Sequence, residues 1–295
     1  MPEEKIEIIP VEILDRQRTL VEELKSFSHK LGIELGWHYL LDLAWILSQL
    51  GELKGRRIMD AGAGLGLVQW YLAEHGADVL SVDRSSRTEM LRLRTRYRID
   101  GLRPQDIPTP GELLRLKTRR ASGLPGKTAA GLRAVAGLIA AAIARPSGGL
   151  VTIYNQDLLD LPDVPSASLD AVVAVSALEH NPPEELPKVV NELMRLLRPG
   201  GVLLATLGTS RDKDWFHEPS RGWCYTEATL RKAFDLPKSV RSNYNRHDEL
   251  MAGLKGCAEL RDNLARMYFL SADNGMPWGK WDPQYQPVGV YKIKA

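Results

Sequence analysis

Cysteine is scarce in this chain. Only Cys224 and Cys257 occur in 295 residues, so no disulfide framework can staple the fold, and no CxxC or Cys/His spacing points to a metal site. Two reduced thiols in a cytoplasmic protein are the expectation. A secretory leader is not recognisable either, because the first seventeen residues are acidic and broken by Pro10, with no basic start and no apolar run. Long hydrophobic stretches are missing too. The longest, residues 134–144, is alanine-rich and shorter than the roughly 20 residues a bilayer span needs, which leaves contact with a membrane surface as the only membrane role to weigh. Internal repeats and long low-complexity tracts are absent.

What remains is a globular composition. A hydrophobic content of 44% and a charged content of 26% suffice for a sizeable core without covalent help. The net charge of +2 conceals an asymmetry. Residues 84–148 hold fourteen Lys and Arg against Glu89, Asp100, Asp106 and Glu112, a local excess of ten, so the rest is net acidic by eight.

Periodicity places the elements. Residues 13–50 read as helical, with Trp37, Leu40, Leu41, Leu43, Ala44, Ile46, Leu47 and Leu50 at helical spacing. Residues 57–61, 77–83, 150–155, 168–176 and 201–207 read as strands, with 240–244 and 288–294 as candidate last strands. Helices are predicted over 67–75, 183–197 and 226–234, the last capped by Thr226. Strand, helix, strand with short links implies parallel pairing and right-handed crossovers. The fold class is therefore α/β, a doubly wound, Rossmann-like, mostly parallel seven-stranded sheet with helices on both faces and two helical insertions. The expected layout is an N-terminal helical segment over 1–54 and a core formed by 55–86 and 149–295. A basic helical insertion, or lid, fills 87–148, and a second insertion fills 245–286.

The run Asp60-Ala-Gly62-Ala-Gly64-Leu-Gly66 lies between a strand and a helix. Glycine there permits a sharp turn and close approach of a ligand, and the N–H groups at the helix start favour an anionic partner. An acid, Asp83, ends the next strand. The spacing is GxGxG preceded by an acid, unlike the GxGxxG of dinucleotide binders, which disfavours a dehydrogenase.

At these residues, over about 37–86 and 149–235, the chain resembles the class I S-adenosylmethionine-dependent methyltransferases. The likeness continues at Asn155-Gln-Asp157-Leu158, at residues 169–180 and at Arg198-Pro-Gly-Gly201. It implies S-adenosylmethionine as cofactor, with Asp60, Gly62 and Gly64 at its methionine end and Asp83 accepting from both ribose hydroxyls. Asp157 would accept from the adenine amino group beside Leu158, and Ser176 would meet the amino group of the methionine. A strand-end cap is the competing role for Asp83, and a turn residue for Asp157. Trp37, His38 and Tyr39 could close over the methionine side, with core packing the alternative for the two aromatics.

A hydroxyl acceptor gains from a general base, and histidine suits neutral pH. His180, after the fourth predicted strand, and His217, after the fifth, both fall on the edge where open α/β sheets place reacting groups. Each has a plain alternative, as a loop cap or an ordinary loop histidine. Glu179 could orient a substrate or pair with a lysine. Asn181-Pro-Pro-Glu184 lacks the aromatic of the family's amide-methylating motif, which argues against methylation of an amide or exocyclic base nitrogen; oxygen is the expected acceptor atom.

The expected function is methyl transfer to a small-molecule or glycan acceptor. A lipid-directed methyltransferase and a non-catalytic cofactor-binding protein are the alternatives. The basic insertion is read as a solvated lid, an anionic-lipid contact or a phosphate-binding surface. Nucleic acid is disfavoured, since Tyr97 is the one aromatic in that stretch available to stack on bases. Trp278, Trp281 and Tyr285 could stack on sugar rings or pin a proline-rich loop to the core. Pinning the loop is the favoured role of the two. The leading tryptophan helix and the Tyr225-Thr-Glu helix before a terminal strand loosely resemble bacterial methyltransferases of sugar and polysaccharide biosynthesis, a likeness that covers no acceptor-specific motif.

Overall fold

The computed structural model describes residues 3–119, 122–267 and 280–295. In chain order the elements begin with β1 (Lys5–Ile8), α1 (Ile13–Arg16), α2 (Arg18–Leu31) and α3 (Tyr39–Leu50). There follow β2 (Arg57–Ala61), α4 (Val68–Glu74), β3 (Asp78–Asp83), β4 (Arg98–Gly101), α5 (Pro110–Arg119) and α6 (Gly123–Ile143). Next come β5 (Leu150–Asn155), β6 (Leu169–Val175), α7 (Leu186–Leu196), β7 (Leu197–Thr209), β8 (Trp215–His217) and β9 (Gly222–Tyr225). The chain ends through α8 (Glu227–Ala233), β10 (Arg241–Ser242), α9 (His247–Lys255), α10 (Ala258–Met267) and β11 (Pro287–Ile293).

One sheet organises these elements in the spatial order β10-β1-β11-β7-β6-β2-β3-β5-β4, with β8 and β9 attached beside β7. From β7 through β4 every neighbour pair is parallel, while β11 runs antiparallel to β7 and β1 antiparallel to β11. The chain departs from β2 in one direction to β3 and β5, and in the other to β6 and β7. Ligands of doubly wound sheets lie in the crevice at such a reversal.

Burial explains the composition of the strands. β6, Leu-Asp-Ala-Val-Val-Ala-Val, is nearly all apolar because both of its faces are covered. On one face lie α3 and α4; α7 and α8 cover the other, giving two core clusters. In α7, Leu186, Val189, Val190, Leu193 and Met194 repeat at helical spacing and face the sheet. α3 is apolar almost all round because the sheet and the N-terminal helices enclose it.

The doubly wound α/β class stands, and the sheet is larger than the seven strands expected. Within the segment expected to be helical, residues 5–8 form β1, whose alternation puts Ile6 and Ile8 into the core. Its ladder with β11 supplies the backbone partners that an isolated segment would lack. Within the basic insertion, β4 extends the sheet beside β5. The predicted strand over 240–244 shrinks to the two residues of β10. Thr226 caps α8 as expected, its Oγ1 accepting from the Thr229 N–H.

The apolar run at 134–144 belongs to a longer helix. α6 starts at Gly123, and its window Gly126–Ile143 is long and apolar enough to cross a membrane by length and composition.

Candidate functional site

The turn after β2 is built by glycines in the left-handed region, with φ of +72° at Gly62 and +49° at Gly64. A Cβ on Gly62 would lie 2.5 Å from the Ala177 Cβ, so the turn closes directly on the segment after β6. A Cβ on Gly64 would meet no protein atom within 4 Å, because this glycine faces open cavity. The Gly62 and Ala63 N–H groups donate to the Val82 carbonyl, each at 2.9 Å. Gly64 N–H donates to Asp83 Oδ2 at 2.9 Å, and Ser85 N–H to Asp83 Oδ1 at 2.8 Å. Asp83 thereby clamps the turn to the end of β3, and each oxygen retains acceptor capacity for a ligand hydroxyl.

Asp60 is buried near the end of β2. Burial pushes its carboxyl up to about 7; the Arg87 guanidinium opposes this and the Asp83 charge adds to it. Arg87 is itself buried, donating to Ser81 Oγ at 2.5 Å and to the Ser81 carbonyl at 2.9 Å.

These groups face one cavity of about 1390 Å³ at the carboxyl ends of β2, β3, β5 and β6. That exceeds the ~300–1,000 Å³ usual for a single small-molecule site, leaving space for two reactants side by side. Asp60, Gly62, Gly64, Asp83, Asp157, Leu158, Ser176 and His180 all line it. Asp157 Oδ1 accepts from the Leu159 N–H at 3.0 Å in an Asx-type turn, so it holds the loop and borders the cavity at once. Ser176 has φ of +48°, unusual for a residue with a side chain, and its N–H donates to the Thr206 carbonyl at 3.1 Å. Two paired acids, the glycine cradle opening on the cavity and the turned backbone at Ser176 fit S-adenosylmethionine.

The two candidate bases part company. His180 is exposed on the cavity wall, with its Nδ1 3.0 Å from the Arg221 carbonyl oxygen. His217 does not line the cavity. It is buried, its ring packs against Trp215 and Tyr285, and its Nδ1 lies 2.7 Å from Ser220 Oγ. Burial lowers its pKa. β8 turns this side chain inward, while its neighbour Phe216 and the following Ser220 and Arg221 reach the cavity instead.

A polar chamber of about 70 Å³ adjoins the main cavity, and Tyr39, Ser176, His180 and Ser220 border both. Behind it lie His38, Glu179 and Tyr285. His38 Nδ1 is 2.5 Å from Asp42 Oδ2, and its Nε2 is 3.4 Å from the Tyr285 hydroxyl. Burial opposes the charged imidazole, but Asp42 outweighs it and the His38 pKa is raised. Glu179 points inward, is buried and accepts a hydrogen bond from Ser176 Oγ, and it pairs with no lysine among the described residues. Burial pushes its carboxyl up, against the His180 charge.

Sequence reasoning missed Asp42, although His38 and Asp42 stand at the i, i+4 spacing that brings helical side chains together. It also missed the distal walls, formed by Ile33 and Leu35, by Leu113, Leu116 and Lys117 of α5, and by Phe216. Trp37 is core, edge-on to Trp281 at 5.8 Å, whereas Tyr39 lines the cavity. Trp281 Nε1 donates to the Lys255 carbonyl at 2.9 Å, and Tyr285 is buried among Trp37, His38 and His217. Both pin their loop to the core; Trp278 lies outside the described residues.

Residues 110–205, about a third of the chain, match the methyltransferase domain family. A ubiquinone biosynthesis O-methyltransferase of Bordetella avium (strain 197N) is 40% identical over 48 residues, 16% of this chain and 20% of that protein. A tRNA U34 carboxymethyltransferase of Psychrobacter cryohalolentis is 35% identical over 77 residues, 25% of this chain and 21% of that one. The chain thus spans about a fifth of the length of these curated relatives. The structure of magnesium protoporphyrin IX methyltransferase from Synechocystis PCC 6803 with bound SAM is 17% identical, with a TM-score of 0.38 over 97% of this chain and 85% of that one. The sheet order, the cavity at the strand ends and the methyltransferase-domain match over residues 110–205 all agree with the resemblance to class I S-adenosylmethionine-dependent methyltransferases.

Proposed function

We propose that the chain transfers the methyl group of S-adenosylmethionine to an oxygen of a small acceptor with an apolar body, His180 taking the proton. The observation that carries this reading is the hydrogen bond between His180 Nδ1 and the Arg221 carbonyl, at 3.0 Å. A carbonyl oxygen only accepts, so Nδ1 bears the hydrogen and Nε2 keeps the lone pair that a base needs.

The bound cofactor supplies a methyl group on a sulfonium, a leaving group that needs no further activation. The protein's tasks are then alignment, exclusion of water and removal of the acceptor proton. Asp60, Asp83 and Asp157 hold the donor along the strand ends. Ile33, Leu35, Leu65, Leu113, Leu116 and Phe216 give the rest of the cavity apolar walls. Arg84, Arg92, Lys117 and Arg221 border it with positive charge, which suits an acceptor whose apolar body ends in oxygen-rich or anionic groups. A glycan fits these walls less well, because Trp281 and Tyr285 are engaged in the core. A lipid-directed reaction is the second reading, favoured by the exposed apolar face of α6.

A labelled methyl donor screened over hydroxylated amphiphiles, sugars and RNA tests the acceptor, with NMR of the product to locate the methyl group. His180→Ala should lower kcat by about 10²- to 10⁴-fold while calorimetric affinity for S-adenosylhomocysteine stays the same. Undiminished turnover in that variant removes His180 from the role, and a methylated nitrogen overturns the oxygen acceptor.

A further inference from the structure

We infer that the α5–α6 hairpin is a docking element for an anionic membrane surface. Leu132, Val135, Ile139 and Ile143 are 68, 43, 57 and 77% exposed, and their spacing of three, four and four residues puts them on one side of α6. Single exposed hydrophobic residues are ordinary, whereas a continuous stripe of this kind marks an interaction surface. The opposite side of α6 is already engaged. Ala134 is buried there, and Gly131 faces Leu114 and Thr118 of α5.

Charge identifies what meets the stripe. Residues 110–145 contain seven basic side chains and a single acid, Glu112. Earlier in the basic stretch three arginines are matched by acids, Arg96 with Glu74, Arg98 with Asp100 and Arg103 with Asp106. On the hairpin, exposed Lys117, Arg119, Lys127 and Arg145 have no ion-pair partner within 4 Å among the described residues. An apolar stripe flanked by uncompensated positive charge fits lipid headgroups bearing phosphate. A second copy of the chain fits worse, because a two-fold contact through this face would bring like charges together.

Geometry sets the mode of contact. α5 has ten residues, about 15 Å of helix against the ~30 Å of a bilayer core, and it carries Arg115, Lys117 and Arg119. The hairpin therefore lies in the interface, with the stripe in the headgroup–acyl boundary. Leu113, Leu116 and Lys117 also border the main cavity, so docking brings its mouth to the lipid surface. The inference stands whether or not the acceptor proposed above is correct.

The test is flotation of the full chain with phosphatidylglycerol–phosphatidylcholine vesicles, against pure phosphatidylcholine, at low and at about 0.5 M salt. The chain should float with the anionic vesicles at low salt and be released at high salt. The double variant Leu132→Glu with Ile139→Glu should retain at least about tenfold less protein on vesicles, with an unchanged melting transition and S-adenosylhomocysteine affinity. Arg119→Glu with Lys127→Glu should weaken flotation and flatten its salt dependence. Absence of flotation at low salt, or equal binding to neutral vesicles, overturns the inference. So does a stripe variant that floats as well as the wild type, or a dimer in light scattering that the stripe variant dissolves.

Discussion

His38 Nδ1 lies 2.5 Å from Asp42 Oδ2, one turn further along α3, and both side chains are buried behind the cavity wall. Burial disfavours the imidazolium; Asp42 more than compensates, so the folded pKa stands above 6.5. A raised basic group contributes stability that is complete below its unfolded value and is lost as pH rises through the folded one. Asp42→Asn should destabilise the protein by about 3 kcal/mol at pH 6, and by less at pH 9. Urea unfolding at the two pH values checks this; an equal loss at both means that the pair is not charged in the native state.

His180 and His217 should separate cleanly. His217→Ala removes a buried ring that packs on Trp215 and Tyr285, and should cost about 1–2 kcal/mol with cofactor affinity intact. His180→Ala takes away an exposed ring and should leave the melting transition in place. Thermal denaturation and calorimetry on the two variants would refute the assignment if the pattern were reversed.

The two turn glycines should also fail differently. Gly62→Ala forces a Cβ to 2.5 Å from Ala177 at positive φ, so both stability and cofactor binding should fall. Gly64→Ala meets no protein atom within 4 Å and should cost only about 1 kcal/mol of stability for its φ. Its methyl group enters the cavity, so S-adenosylhomocysteine affinity should still drop. Wild-type affinity in Gly64→Ala would show that the cofactor does not lie against this turn.

Asp60 makes cofactor binding pH-dependent. Its carboxyl is pushed up to about 7, so below that pH it is protonated in the folded protein. A ligand carrying positive charge favours the carboxylate, and affinity should fall by up to about tenfold per unit as pH drops below 7. The same shift makes this group lower the stability of the ligand-free protein as pH rises from about 4 to about 7. Calorimetry with S-adenosylmethionine between pH 5.5 and 8 measures the first effect. A flat profile would place the cationic groups away from Asp60.

Much of the cofactor end was legible because its signals are local. A strand, a glycine turn and an acid at each strand end occupy contiguous residues, and Asp60, Gly62, Gly64 and Asp83 do meet at one cavity. β1 was readable in part. Ile6 and Ile8 alternate with polar neighbours, but over four residues that pattern is too short to define a strand without its ladder to β11. β4, Arg-Ile-Asp-Gly, has too little apolar pattern to announce a strand, and only its ladder with β5 defines it.

The acceptor end was decided by tertiary packing. Ile33 and Leu35, Leu113 to Lys117, and Phe216 to Arg221 come from three distant parts of the chain, and none has a motif of its own. Packing also turned His217 into the core and left His180 on the wall, although both follow a strand on the same edge. The sequence by itself determined the parallel centre of the sheet, the glycine turn with its strand-end acids and the basic bias of 84–148, because propensity, spacing and charge are properties of short segments. Only the tertiary structure decided which histidine reaches the cavity, which arginines are already matched, and that the apolar side of α6 stays uncovered. Those depend on contacts between segments far apart in the chain, and no local signal records them.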